Sequence, residues 1–292
     1  MAKARALDRR RRSVRNIRKI TRTMELIATA RFKKAMDRSI AARDYTKHLA
    51  KILENIAAVG ASVAHPLLEI RPAQRAAVLV LTGNRGLCGG YNSNIVRQAV
   101  ALLGQWKSEK VVTDLSVSGK RGITALKFRG FEIGQRYTEF EDKPDFAAVA
   151  PIGRAYLEAY SSATIDRLDV VYTKFHSIAK QEAVTETLLP LAPPESGGGG
   201  KGRLASEDYD FLPSPESILA EILPASFMSR LFKCFLDAAV SEQVARMVAM
   251  KAATENAGGL IKSLSRQYNR ARQSQITGEI MEILGGVEAL KK

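Results

Sequence analysis

The chain has 292 residues, 46% of them hydrophobic, and a formal net charge of +15, which provides for at least one packed core and excludes a disordered polymer. No uninterrupted apolar run reaches the roughly 18 residues a membrane helix needs, so no direct membrane span is expected. Its two cysteines, Cys88 and Cys234, are far apart and without metal-type spacing, which fits a reduced compartment.

The charge is unevenly placed. Residues 1–50 carry 16 Lys and Arg against 4 Asp and Glu, so +12 lies there and only +3 in the remaining 242 residues. A basic helix of this kind binds nucleic acid, an anionic membrane or an acidic protein partner, or is a solvated face. The Arg run at the start is followed by no apolar stretch, so neither a signal peptide nor a cleavable leader is expected.

The first helix is predicted from near Arg5 to before Pro66. Ile20, Met24 and Ile27 form one apolar stripe, and Tyr45, Leu49, Ile52, Ile56, Val59 and Val63 continue it at four-three spacing. That spacing gives a narrow seam of the coiled-coil kind, and about 60 helical residues would extend ~90 Å. Ala76–Thr82 reads as a buried strand running into the glycine-rich turn 83–90, with a helix over Tyr91–Trp106. Val111–Gly119 reads as the next strand and Ile123–Phe128 as a short helix, and this alternation predicts a mostly parallel sheet covered by helices. Phe146–Ser161 reads as helix, and Leu168–Phe175 with Glu182–Leu191 as an antiparallel pair at the sheet edge.

Ala192–Phe211, with Pro193-Pro194 and Gly197–Gly200, has linker composition. The last helical region is expected to open with Ser214 as N-cap and Pro215 in the first turn, to kink or restart at Pro224, and to run on to Gly285-Gly286. Its stripe is Ala257, Ile261, Leu264, Tyr268 and Ala271, followed in a second phase by Ile276, Ile280, Ile283, Val287 and Leu290. Pairing the two terminal seams buries both, so the expected fold class is a central Rossmann-like α/β domain plus a long antiparallel coiled coil of the N- and C-terminal helices. The expected domains are 1–65, 66–212 with its glycine-rich loop 192–211, and 213–292.

No catalytic constellation emerges. The turn 83–90 follows a strand and precedes a helix, as phosphate loops do, but Gly83, Gly86, Gly89 and Gly90 match neither dinucleotide nor P-loop spacing. Cys88 lacks a neighbouring base and reads as a small buried thiol, while His48, His65 and His176 are scattered surface or helix-end residues. Glu139, Glu141, Asp142 and Asp145 read as a solvated acidic loop. A chain with no acid–base pair, nucleophile or cofactor motif is expected to act through binding and mechanical contacts.

Three separated segments carry a family resemblance: SVRNIRKITRTMELIATARFKKA over 13–35, NRGLCGGYN over 84–92, and SEQVARMVAMKAATENA over 241–257, continued by YNRARQSQIT and EIMEILGGVEAL. In that order they resemble the gamma subunits of F-type ATP synthases, whereas 111–212 resembles them only in layout. The resemblance implies a non-catalytic rotor shaft, turning inside a ring of alpha and beta subunits, with an epsilon subunit and the membrane c-ring as further partners. It implies no cofactor, no metal and no nucleic acid, and a peripheral place on the cytoplasmic face of a bacterial inner membrane.

By the same resemblance, Arg85 meets an acidic segment of the beta subunit, Met24 approaches that segment, Arg272 and Gln273 make an upper contact to beta, and the tip around Ile283, Val287 and Leu290 sits in the ring's bearing. Ordinary coiled-coil packing is the plain alternative for Met24, and a solvated charge for Arg272. Asn84 stands where the family usually has Asp. Two other readings of the whole chain remain at this level: a nucleic-acid-binding coiled coil using the basic helix, and a nucleotide-dependent enzyme using the turn 83–90.

Overall fold

The computed structural model describes residues 2–58, 65–140, 143–191 and 215–290. Two helices bracket the chain, α1 (Ala2–Ala58) and α5 (Pro215–Leu290). Between them lie β1 (Arg75–Leu81), α2 (Tyr91–Ser108), β2 (Val112–Ser118), α3 (Lys120–Phe128), β3 (Gln135–Tyr137), α4 (Phe146–Ser161), β4 (Arg167–Phe175) and β5 (Gln181–Leu189). The chain divides into two compact units, residues 1–29 with 246–292 and residues 30–245. The predicted linker 192–211 and the Ser214 cap lie outside the described residues, as do Val59 and Val63.

In the larger unit the five strands run in the order β3-β2-β1-β4-β5, the first four parallel and β5 antiparallel to β4. This is the doubly wound arrangement the alternating pattern predicts. From Ala76 onward β1 is apolar because both of its faces are covered. Leu79 and Leu81 pack with Tyr160, Leu168, Phe227 and Leu231 beneath α4 and α5. Val78 and Val80 pack on the opposite face with Ile95, Ala99, Trp106 and Leu126 beneath α2 and α3. The 30–58 part of α1 joins this unit through a small cluster of Ala35, Phe32, Phe175, Val240 and Val244 and through a 2.7 Å hydrogen bond between the Thr46 and Ser229 hydroxyls.

The smaller unit is an antiparallel helix pair. Thr254 donates to the Thr21 hydroxyl at 2.9 Å, the Arg11 guanidinium lies 4.7 Å from the Tyr268 ring centroid, and Val14 packs with Ala257 and Leu264. Low numbers therefore face high ones, as the paired-seam reading requires, and the C-terminal stripe Ala257, Ile261, Leu264, Tyr268 is the one used.

The N-terminal stripe is different from the expected one. Ile20 is 59% exposed and Ile27 46%, so neither is in the seam. The inward positions are Leu7, Arg11, Val14, Thr21, Glu25 and Ala28 in the smaller unit, and Phe32, Ala35, Ser39, Ala42, Thr46 and Leu49 in the larger. These keep a four-three rhythm one position away from the isoleucines, with a single gap at exposed Arg18 between Val14 and Thr21. Small side chains at Thr21, Ala28, Ala35 and Ala42, seven residues apart, let a neighbouring helix approach closely, and the larger apolar residues are left facing out. Tyr45 and Ile52 are exposed for the same reason, and among the described side chains of that predicted run only Leu49 is buried.

Two further expectations change. Pro224 neither ends nor restarts α5, and Gly285-Gly286 does not stop it, since the helix continues to Leu290. Around Pro224 the missing backbone bond is offset by burial, because Leu219, Leu223, Phe227 and Leu231 are all core residues. β3 is too short, at three residues, to leave a sequence pattern.

Candidate functional site: a stapled loop and a basic helix pair

The turn 83–90 is held by its own side chains. Asn92, in the first turn of α2, accepts from the Gly83 N–H at 2.9 Å and donates to Cys88 Sγ at 3.1 Å and to the Arg85 carbonyl at 3.4 Å. Asn84 donates through Nδ2 to the carbonyls of Thr138 (2.9 Å) and Phe140 (3.1 Å), while its Oδ1 accepts from the Lys120 N–H at 2.9 Å. Leu87 and Gly89 take positive φ, 64° and 56°, which folds the turn tightly enough to bury Cys88. Arg85 is thereby presented exposed on a fixed backbone. Cys88 is a buried thiol, as the sequence indicated.

This loop sits at the carboxyl end of β1, beside the switch point where doubly wound sheets bind nucleotides. α5 occupies the crevice instead. Tyr91 donates its hydroxyl to the Ala238 carbonyl at 3.1 Å. The Glu242 carboxylate lies so close to Gly83 that a Cβ added there would be 2.8 Å from it. A buried carboxylate repels the phosphate that such a crevice would otherwise take, and only about 20 Å³ remains between Leu81, Tyr91, Phe235 and Glu242. Neither Glu242 nor Asn92 stood out in the sequence. Their signal was position alone, each within a matched family segment.

In the smaller unit, Arg5, Arg9, Arg12, Tyr268, Arg272 and Gln275 line an open groove of about 480 Å³. Asp8 is the one carboxylate lining it. Partial burial works to raise the Asp8 pKa, but hydrogen bonds and charge from Arg11 (2.6 Å) and Arg12 (2.7 Å) outweigh this and hold the carboxyl below its ordinary range. A second groove is lined by Arg15, Arg18, Lys19 and Arg22. Together they form a cationic strip suited to acidic side chains, at little desolvation cost because the guanidiniums stay wet.

Arg272 and Gln273 are exposed, and Arg272 has no ion-pair partner among the described residues. Met24 is half-buried beside the seam. Every described side chain from Ile276 to Val287 is exposed, including Ile283 at 66% and Val287 at 49%, while the Leu290 side chain lies outside the described residues. The predicted site residues thus fall in two groups, Arg85 in the larger unit and the remainder in the smaller. Of the histidines, His65 caps the short helix Pro66–Leu68 by accepting from the Leu67 N–H at 3.2 Å, and His48 and His176 are exposed. Among the described residues no group of His, Cys, Asp or Glu is arranged to hold a metal ion.

A family model described as ATP synthase matches residues 3–290. The ATP synthase gamma chain of Rhodopirellula baltica is 60% identical over the full length of both chains. The chain belongs to the ATP synthase gamma chain family. Its membership makes it a subunit of an ATP synthase and not a stand-alone enzyme. The fold is also that of two chains from Euglena gracilis mitochondrial ATP synthase. One is in a structure described as the rotor in rotational state 1 (TM-score 0.65, 20% identity, 94% of this chain and 99% of that chain). The other is in one described as OSCP/F1/c-ring in rotational state 3 (TM-score 0.68, 19% identity, 99% and 95%). Among the described residues no helix is long and apolar enough to cross a membrane.

Proposed function

We propose that the chain is the central rotor shaft of an F-type, proton-translocating ATP synthase, transmitting rotation to the nucleotide sites of a surrounding alpha–beta ring. The observation that carries this is the helix pair bearing family motifs at both chain ends, with a cationic strip along it and an unpaired apolar tip beyond it. An asymmetric rod biases otherwise identical sites differently, because each site meets a different face and its ligand affinities follow the population shift.

In this reading Arg85, Met24, Arg272 and Gln273 meet acidic or polar segments of the beta subunit, and Ile283, Val287 and Leu290 turn in an apolar bearing. An epsilon subunit and the c-ring complete the partners, and the chain is peripheral to a bacterial inner membrane on its cytoplasmic face. The division 1–65, 66–212 and 213–292 then corresponds to shaft strand, foot domain and returning shaft strand. Native purification through an affinity tag tests it. Recovery with nucleotide-binding alpha and beta partners is expected, and a chain that purifies alone from a membrane extract containing them overturns the proposal.

A further inference from the structure

In the stapled loop the backbone around Arg85 is fixed from two flanks. The Asn92 side chain, in the first turn of α2, accepts from the Gly83 N–H at 2.9 Å and donates to the Arg85 carbonyl at 3.4 Å and to Cys88 Sγ at 3.1 Å. One amide thus spans the turn from before Arg85 to after it. On the other flank the Arg121 guanidinium lies against Gly86, where an added Cβ would stand 3.2 Å from Nη2. Asn84 has a separate task, because its bonds run to Thr138, Phe140 and Lys120 and anchor the loop to the rest of the unit.

We propose that Asn92 is a positioning residue for the Arg85 contact, fixing the backbone from which that guanidinium reaches an acidic segment of the beta subunit. Only a side-chain amide makes this set of bonds, since it accepts and donates at once. Aspartate in its place keeps the Gly83 bond and, as an anion in the first turn of a helix, suits the start of α2. It cannot donate to Arg85 or Cys88. A loop released in this way has to be ordered again whenever the contact forms, and that ordering is subtracted from the binding. On the rotor reading above, on which this rests, the contact is made and released at each step of rotation, so the loss recurs at each step.

Two measurements test it. In the full chain, Asn92→Asp should make the Cys88 thiol react with a maleimide roughly fivefold faster, as one lost hydrogen bond implies, while Cys234, 2% exposed in the sheet core, stays as slow as in the parent. Unchanged labelling of Cys88, or both thiols reacting faster, overturns the proposal even if the variant does not assemble. ATP synthesis per assembled complex is then compared for Arg85→Ala, Asn92→Asp and the two together. Arg85→Ala should lower it by about fivefold, the low end of ordinary coupling between sites, and Asn92→Asp by no more than that. The double variant should be no slower than Arg85→Ala alone, because Asn92 acts through the arginine. Multiplied losses overturn the proposal and leave the rotor reading standing, since a merely structural role persists without the arginine. Full synthesis by Asn92→Asp beside a slowed Arg85→Ala does the same. Full synthesis by Arg85→Ala removes the Arg85 contact from the rotor reading, and this proposal with it.

Discussion

The two units bury their side chains in different currencies. In the larger, both faces of the sheet are filled by Leu, Ile, Val, Phe and Tyr, eleven of whose large side chains are essentially without solvent contact. In the smaller, among the described residues, the buried apolar cluster is Val14, Ala257 and Leu264 with Leu7 and Ile261 packed against it, and Arg11, Thr21, Glu25 and Thr254 share the seam. The larger unit holds its own shape. The smaller is a helix pair whose outward faces are cationic and whose tip is apolar, so more of its surface is left for partners.

Matched truncations on α5 put this difference to the sharpest test. Leu231 is fully buried in the sheet core and Leu264 is 3% exposed in the helix pair, so accessibility alone predicts equal losses. A cavity costs more where the surroundings cannot collapse. Leu231→Ala should therefore cost about 4 kcal/mol and Leu264→Ala about 2 kcal/mol in urea unfolding of the isolated chain. Equal losses would show that the helix pair is as rigidly packed as the core.

Asn84→Asp probes how the loop is fixed. A carboxylate cannot donate, so the bonds to the Thr138 and Phe140 carbonyls are lost and a negative charge is set against two carbonyl oxygens. The expected loss is about 2 kcal/mol, with faster amide exchange across residues 83–90. An unchanged denaturation midpoint would mean that Asn92 holds the loop alone.

How much of this the sequence disclosed follows from how each region stores its information. β1, α2, α4 and β4 were legible because a two-faced sheet demands long apolar runs and clear helix ends, and both are local signals. The C-terminal seam was legible because Ile261, Leu264 and Tyr268 are large. The N-terminal seam was misplaced because hydrophobicity marks Ile20 and Ile27, whereas close helix approach selects Thr21, Ala28, Ala35 and Ala42. A seven-residue repeat of small side chains was the available signal. Glu242 over Gly83 was not legible, since it joins residues 159 positions apart. Gly285-Gly286 misled because its cost, about 1 kcal/mol each, is too small to stop a helix already 70 residues long.

Two carboxylates of the larger unit respond to pH in opposite senses. Burial pushes the Asp237 carboxyl up to about 6 from 3.8, against the pull of Lys233, Lys174 and Arg43, with Glu186 adding to the rise. Between those values the folded chain holds a proton that the unfolded chain has released, so Asp237's contribution falls as pH rises and is lowest above about 6. Glu186 works in the opposite sense. Its burial is outweighed by Tyr172, Arg230 and Lys174, which lower its pKa below 4.5, so its contribution is present above that value and lost only as pH falls further. Between pH 5 and 7 His65, whose burial lowers its pKa from 6.5, acts against Asp237, so Asp237 is read as the difference between the Asp237→Asn chain and its parent. Asp237→Asn should remove Asp237's downward share of the stability slope there and raise stability at pH 7 by about 1 kcal/mol, less than the full shift because the amide is itself a buried polar group. An unchanged slope would assign the titration elsewhere.

Arg272→Ala should have the smallest effect on folding and the clearest effect on function. The side chain is exposed and has no ion-pair partner among the described residues, so its removal should change stability by no more than about 0.5 kcal/mol. If the groove it shares with Arg5, Arg9 and Arg12 receives an acidic partner, assembly should survive while ATP synthesis by the assembled complex falls, because neighbouring cations still hold the partner but no longer at this point. Measuring synthesis and proton-driven rotation in the same membranes separates the two. Full synthesis would remove Arg272 from the contact surface and leave the basic strip as a solvated face. Lost assembly would instead make this arginine part of what holds the ring on its axle, and would place binding energy in the unit whose own core is the thinner.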